Sequence, residues 1–516
     1  WVAAQAPATP PPTDWHHRDE TQDALRGVSS HRAYQELLKN RKPGRTVVVA
    51  VIDSGTDIDH EDLKDVRWTN AKEVVGNGKD DDGNGYVDDV HGWNFIGGAD
   101  GRNVAFDQLE MTREYKKYLA YFSGKDTTRL SADDQAKFDY YRKVRQAYTE
   151  KLAETQGAWA NWEGIIPVYK AAVAQLKAHL QTETLTPEAV QGVTDASVGE
   201  AKNLYLQVAA YGITEQDMND IEKYFTEQLN YNLNLDYEIR SIVGDDYANT
   251  AERTYGNADV IGPDADHGTH VAGIIAAGRQ NGKGIDGLAD AVRIMVVRAV
   301  PGGDERDKDV ANAIRYAADN GAHIINMSFG KSFSPEKQVV DEAVAYAVKK
   351  GVLLVHAAGN DAKDLTQEAN FPNADYLAGG QAETWIEVGA SSFGNPEPFV
   401  ANFSNYGKTR VDLLAPGDDI YSTIPGSKYT NHDGTSMAAP VVSGVAAVVM
   451  AYYPTLSAKE VKEILLASAV RYPERTVAAP GEEATTVPLT DLCRTGGIVN
   501  LYAALQAAEK RAQESK

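Results

Sequence analysis

Residues 46–55 read TVVVAVIDSG, and this stretch decides the fold. The run from Thr46 to Ile52 is mostly β-branched and apolar, the pattern of a strand buried on both faces. Such strands belong to parallel sheets covered by helices on either side. The run stops at Asp53, Ser54 and Gly55. A polar side chain at the carboxyl end of a buried parallel strand stands where open α/β sheets place their sites.

Working outward, the same pattern resumes far down the chain. Strand-like runs are expected at 293–298, 323–327, 352–357, 386–389 and 411–414, with helical stretches such as 308–320 and 336–349 between them. This alternation predicts βαβ units around a mostly parallel, doubly wound α/β sheet. Further helices are expected at 436–453, at 458–468 with Ser457 as cap, and at 500–510. Residues 471–490 read as loop.

Composition shifts between the first strand and the rest. Residues 101–255 hold only 8 of the 44 glycines but 14 of the 26 tyrosines. Helix starts are visible in Ser131 with Asp134, Thr214 with Asp217, and Pro187 after Thr186. Helices are expected at 107–121, 132–156, 158–182, 197–211 and 215–242. The reading is an inserted all-helical subdomain at 101–255, interrupting one catalytic domain made of 14–100 and 256–510. Its tyrosines are read as core between its own helices, with a lid or exosite for substrate selection as the alternative. An Ala- and Pro-rich arm at 1–13 and a charged tail at 511–516 flank the domain.

Charge and cysteine content narrow the function. The 516 residues carry 74 acidic against 51 basic side chains, a net charge of −23, which disfavours nucleic acid as partner. Cys493 is the single cysteine, so neither an intramolecular disulfide nor a cysteine zinc site is possible. It reads as a small packed residue. The most apolar stretch, 440–453, is broken by Ser443 and Gly444 and falls short of the ~20 residues of a membrane span. Trp1 is no initiator Met, so a processed chain whose export signal has gone is expected.

Three segments each set one reactive side chain at the edge of an element. Asp53 ends the first strand. His267 in HGTHVAG opens a helix with small neighbours, and Ser436 in GTSMAAP opens an apolar helix. A serine hydroxyl needs a base to take its proton, and an imidazole serves near neutral pH. The imidazole in turn needs a carboxylate to orient it and to stabilise its charged form. A fourth segment, LLVHAAGN, is a buried strand ending in Asn360. A fixed amide NH₂ is a suitable donor to the oxyanion of acyl transfer, with the Ser436 backbone N–H as the second donor.

These four segments resemble the subtilisin-like serine peptidases, the subtilases, whose order is also Asp, His, Ser. The resemblance covers about half of the chain, and its motifs are specific. It implies a serine endopeptidase with a polypeptide substrate and a covalent acyl-enzyme. Asp53 would orient, His267 would act as base, Ser436 as nucleophile and Asn360 as oxyanion donor. It also implies that Ser328, Phe329 and Gly330 pair with the substrate as an added strand. With Ala357, Ala358 and Gly359 they would wall the pocket for the residue before the scissile bond. An inhibitory prodomain is a further implied partner, for which the residues before Thr46 are too few. The resemblance points to a secreted, periplasmic or surface location. Rival readings are a silent fold used for binding and a transpeptidase.

A calcium site is the next signal. Residues 80–89 read DDDGNGYVDD, with oxygen ligands at loop positions 1, 3 and 5 and Gly85 at 6. Asp80, Asp82, Asn84 and the Tyr86 carbonyl would bind structural Ca2+, and Asp88 or Asp89 would close the shell, since His91 stands at position 12. His270, His60 and His91 read as packing or surface residues. Residues 303–309 read equally as a substrate subsite or a solvated loop.

Overall fold

The computed structural model describes residues 10–394 and 398–514. Most of the expected arm and the last two residues of the expected tail lie outside them. The described part of that tail is helical, because the final helix runs from Leu501 to Glu514. The chain divides into two compact units. One extends to Ala105 and from Ile239 onward, and the other is Phe106–Glu238.

Among the described residues, the first unit holds thirteen strands. They are β1 Val47–Asp53, β2 Gly92–Asn94, β3 Val292–Arg298, β4 Ile324–Met327, β5 Leu353–Ala357, β6 Trp385–Ser391, β7 Leu413–Pro416, β8 Ile420–Ile424, β9 Lys428–His432, β10 Val470–Arg471, β11 Thr476–Ala479, β12 Glu482–Pro488 and β13 Gly497–Ile498. Nine form one sheet in the order β10-β13-β7-β6-β5-β4-β1-β3-β2. Its neighbours are parallel, apart from β10 with β13.

β1 shows why the sheet needs two covers. Val47, Val49 and Val51 enter one core with residues of helices Asp266–Ala276 and Thr435–Tyr452. Ala50 and Ile52 enter the other with residues of helices Asp307–Asp319 and Lys337–Lys349. β1 lies between β4 and β3, where the strand order turns. The carboxyl ends of β1, β4 and β5 therefore open on one crevice. Helix Thr435–Tyr452 is the one helix among the described residues long and apolar enough to cross a membrane, and 94% of that stretch is buried as core.

Two expectations are corrected in this unit. Residues 471–490 are not simply loop, because β11 and β12 pair antiparallel around Gly481, whose φ of +76° suits a tight turn. The segment 239–255, read from sequence as part of the insertion, packs in this unit. Tyr255 joins the core beside Phe95, and Arg240 reaches Asp309 at 2.6 Å and Asp245 at 2.7 Å. Lys308, nearly fully buried, binds Asp245 at 2.7 Å and Glu252 at 2.8 Å. Part of the 303–309 segment is thus buried in ion pairs.

Every regular element of the second unit is helical. Helices Glu110–Phe122 and Ala132–Trp159 meet through rings, with Tyr115 stacked on Tyr148 at 4.6 Å and Phe122 on Tyr141 at 5.5 Å. A second cluster joins Ile166, Tyr169, Val173 and Leu176 to Tyr205, Val208 and Met218. Thr214 and Asp217 form a reciprocal capping box. The helix it starts ends earlier than the expected 242, passing through a wide turn at Gln228–Asn232. There the Asn232 side-chain amide donates to the Asp107 carbonyl at 2.8 Å.

Candidate active site

Asp53 stands at the carboxyl end of β1 with its side chain 2% exposed. Its Oδ1 accepts from the Ser54 N–H at 2.7 Å and from His267 Nδ1 at 2.7 Å. His267 is the second residue of helix Asp266–Ala276. Gly268 is what lets this helix approach. A Cβ there would sit 2.1 Å from the Gly55 carbonyl oxygen and 3.2 Å from Asp53 Cβ. The His267 side chain is 40% exposed. Desolvation by the surrounding protein lowers its pKa, but the charge and hydrogen bond of Asp53, helped by Asp266 and Asp264, outweigh this. The pKa ends above the ordinary histidine value.

Ser436 lies in the first turn of helix Thr435–Tyr452. Its hydroxyl donates to the Ser328 carbonyl at 3.1 Å, and it makes no hydrogen bond with His267 in this structure. The Ser328 hydroxyl in turn donates to the Ser436 carbonyl at 2.8 Å. Behind it runs a buried polar chain that the sequence reading missed. Asn326 donates to Ser328 Oγ at 3.0 Å, and Ser443 donates to Asn326 Oδ1 at 2.8 Å.

Asn360 follows β5. Its Oδ1 accepts from both the backbone N–H and the hydroxyl of Thr435, each at 2.9 Å. The Thr435 hydroxyl also accepts from the Gly359 N–H at 3.0 Å. With its oxygen held, the amide turns its NH₂ away. A Cβ on Gly434 would stand 3.3 Å from Asn360 Nδ2 and 3.5 Å from the Ser436 nitrogen. Two donors therefore flank the same side of Gly434. Of the residues expected to wall a substrate pocket, Ser328, Ala357 and Ala358 are buried, Phe329 and Gly359 are half-buried, and Gly330 is exposed. Asn370, absent from the sequence reading, donates to the Ala358 carbonyl at 3.0 Å, and a Cβ on Gly330 would touch its amide.

The acidic loop divides its side chains. Oxygens of Glu73, Asp80 and Asp82 lie within 4.8 Å of one another. Glu73 was not read from sequence, for it stands outside the loop motif. Its Oε1 accepts from the N–H groups of Asp81 and Asp82 at 3.0 and 3.1 Å, while Oε2 is buried without a partner among the described residues. Asp88 instead caps the turn at Asn77 and Gly78. Asp89 is fully buried and accepts from Tyr316 at 2.7 Å, and burial pushes its carboxyl up to about 6. Asn84 spends its Oδ1 on the Tyr86 N–H and its Nδ2 on Asp89. Cys493 and His270 are fully buried.

A serine in the first turn of a helix, together with a buried carboxylate bonded to a partly exposed imidazole, is a set of groups suited to acyl transfer. The chain belongs to the subtilase family, whose model matches residues 44–491. Over 183 residues it is 46% identical to a thermophilic serine proteinase of Bacillus sp. (strain AK1), covering 35% of this chain and 42% of that one. Over 202 residues it is 42% identical to the major intracellular serine protease of Bacillus subtilis (strain 168), covering 38% and 59%. Subtilisin DY of Bacillus licheniformis is 36% identical over 206 residues, covering 39% and 70%. The chain thus spans less than two thirds of the first two relatives.

Proposed function

We propose that this chain is a serine endopeptidase acting on polypeptides, with Ser436, His267 and Asp53 as its triad. The observation that carries the reading is the 2.7 Å bond from His267 Nδ1 to the buried Asp53 carboxylate. That bond commits Nδ1 as donor and leaves Nε2 as the atom that takes a proton. Ser436 would turn its hydroxyl from the Ser328 carbonyl toward His267 to be deprotonated, and apo sites are commonly loose. Its oxygen then attacks the scissile carbonyl. Asn360 and the Ser436 N–H receive the oxyanion. The imidazolium hands its proton to the leaving amine, and water, activated by the same base, hydrolyses the acyl-enzyme. Substrate would run beside Ser328–Gly330, with Ala357, Ala358 and Gly359 as the facing wall.

The catalytic unit is read as interrupted, between acid and base, by the helical unit. Glu73, Asp80 and Asp82 are read as ligands of a structural Ca2+, which would add no reacting group. A location outside the cytosol suits a general peptidase with such a loop, although one relative is by name intracellular. The test is Ser436→Ala. It should abolish cleavage of unfolded protein and labelling by a fluorophosphonate, with the melting temperature kept. Labelling that survives the change rejects Ser436 as the nucleophile.

A further inference from the structure

A second carboxylate–imidazole pair adjoins the first. Asp266 immediately precedes His267, and its Oδ1 lies 2.7 Å from His432 Nε2. His432 is the last residue of β9, four positions ahead of Ser436. The bond therefore ties the strand that leads into the serine to the helix turn that carries the imidazole. We propose that Asp266 and His432 form a positioning pair that fixes the first turn of the His267 helix and sets the charge around its imidazole. The proposal rests on the reading of His267 as the base.

The surroundings separate this pair from mere packing. The β8–β9 hairpin already grips the same helix through uncharged bonds. Ser422 donates to the His270 carbonyl and Thr423 to the Thr269 carbonyl, each at 2.8 Å, and His270 Nε2 meets the Thr430 carbonyl at 3.1 Å. Only the Asp266–His432 bond joins two ionisable side chains, and it lies at the helix end nearest His267. The charged groups facing His267 are Asp53 from β1 and Asp266 and Asp264 from its own segment. Those facing His432 are Asp266 and, ring against ring at 4.4 Å, His270. Asp433 follows it in the chain and is bonded to the Asp419 N–H. Burial lowers the pKa of His270 to about 3, which keeps it neutral. The hydrogen bond of His432, with its charge, holds the Asp266 carboxyl below the usual range. Asp266 is thus an anion throughout the working range, and its 2.7 Å bond to His432 holds it beside His267.

Direction follows from charge. A carboxylate near an imidazole stabilises the protonated form, so removing it lowers the imidazole pKa. The His267 titration should be followed by NMR on protein labelled at histidine Cε1, in the Ser436→Ala background, which avoids self-digestion. Asp266→Asn should lower the His267 midpoint by about half a pH unit or more at low salt, and strong salt should shrink the shift because the pair is partly exposed. Asp266→Glu should restore the midpoint. His432→Gln removes the partner that holds Asp266 in place, so it should also move the midpoint, and should do nothing in the Asp266→Asn background. In the active protein, the acid limb of kcat/KM should follow the same shifts. A midpoint unmoved by Asp266→Asn or Asp266→Ser, with the fold intact, overturns the proposal. So does a His432→Gln shift that persists without Asp266. A wild type that cleaves nothing rejects the peptidase reading alone, because the titration is read without turnover.

Discussion

Thr435 does its work through another residue. It gives Asn360 Oδ1 two donors, one from the backbone and one from its hydroxyl, and so decides which way the amide NH₂ points. Thr435→Val keeps the branch and removes the hydroxyl. One of the two tethers goes, and the Gly359 N–H loses its acceptor. We expect kcat to fall about tenfold with KM little changed, a milder loss than the ~100-fold or more expected when an oxyanion donor is deleted. Steady-state kinetics on a chromogenic peptide reads the split, and an unaltered kcat would reject the tether. The sequence shows Thr435 only as the neighbour of Ser436. Its partner lies 75 residues away, on a different element, and no local pattern joins them.

At the scale of elements, legibility follows periodicity. β1 was readable because a short, mostly β-branched apolar run ending in Asp-Ser-Gly suits a strand covered on both faces, and both cores do receive it. β2 has three residues and the β8–β9 hairpin is partly exposed, so neither leaves an apolar pattern. Glu73 and the 239–255 segment were hidden for another reason, because each acquires its partners only after the chain folds back. The approach of helix Asp266–Ala276 to the end of β1 is the element contact on which the site depends. Gly268→Ala inserts a methyl at 2.1 Å from the Gly55 carbonyl oxygen, backbone that cannot step aside. The helix must shift away from Asp53. Overpacking of this kind costs about 1–3 kcal/mol, and the 2.7 Å bond to His267 should lengthen with it. Denaturant unfolding should show the loss of stability, and kcat/KM should fall by more than ~10-fold, as misplaced catalytic groups do. A variant with native stability and full activity would mean that the close packing at Gly268 has no bearing on the site.

Across the whole molecule the acidity is uneven. Residues 53–100 carry 13 acidic and 4 basic side chains, so −9 of the net −23 falls within 48 positions. Like charges so placed repel unless something lies among them. Much of the loop meets the problem by hydrogen bonds, as at Asp80, which accepts from the N–H groups of Gly83, Asn84 and Gly85. Asp88 and Asp89 are likewise engaged with the protein. Glu73 differs, for its Oε2 is buried near Asp80 and Asp82 with no donor among the described residues. A buried carboxylate oxygen left so is costly, and a bound cation would offset it. Binding to the folded state alone stabilises by RT ln(1 + [L]/Kd), about 2.7 kcal/mol at a hundredfold excess over Kd. Adding Ca2+ to chelator-treated Ser436→Ala protein should therefore raise the melting temperature by several degrees, and Mg2+ should do less, since it holds its water more tightly. Glu73→Gln should remove most of the Ca2+ response. Asp88→Asn should keep it, because Asp88 caps a separate turn. Equal responses in the two variants would reject this ligand set, and no response in the parent, with metal removal verified, would reject the site.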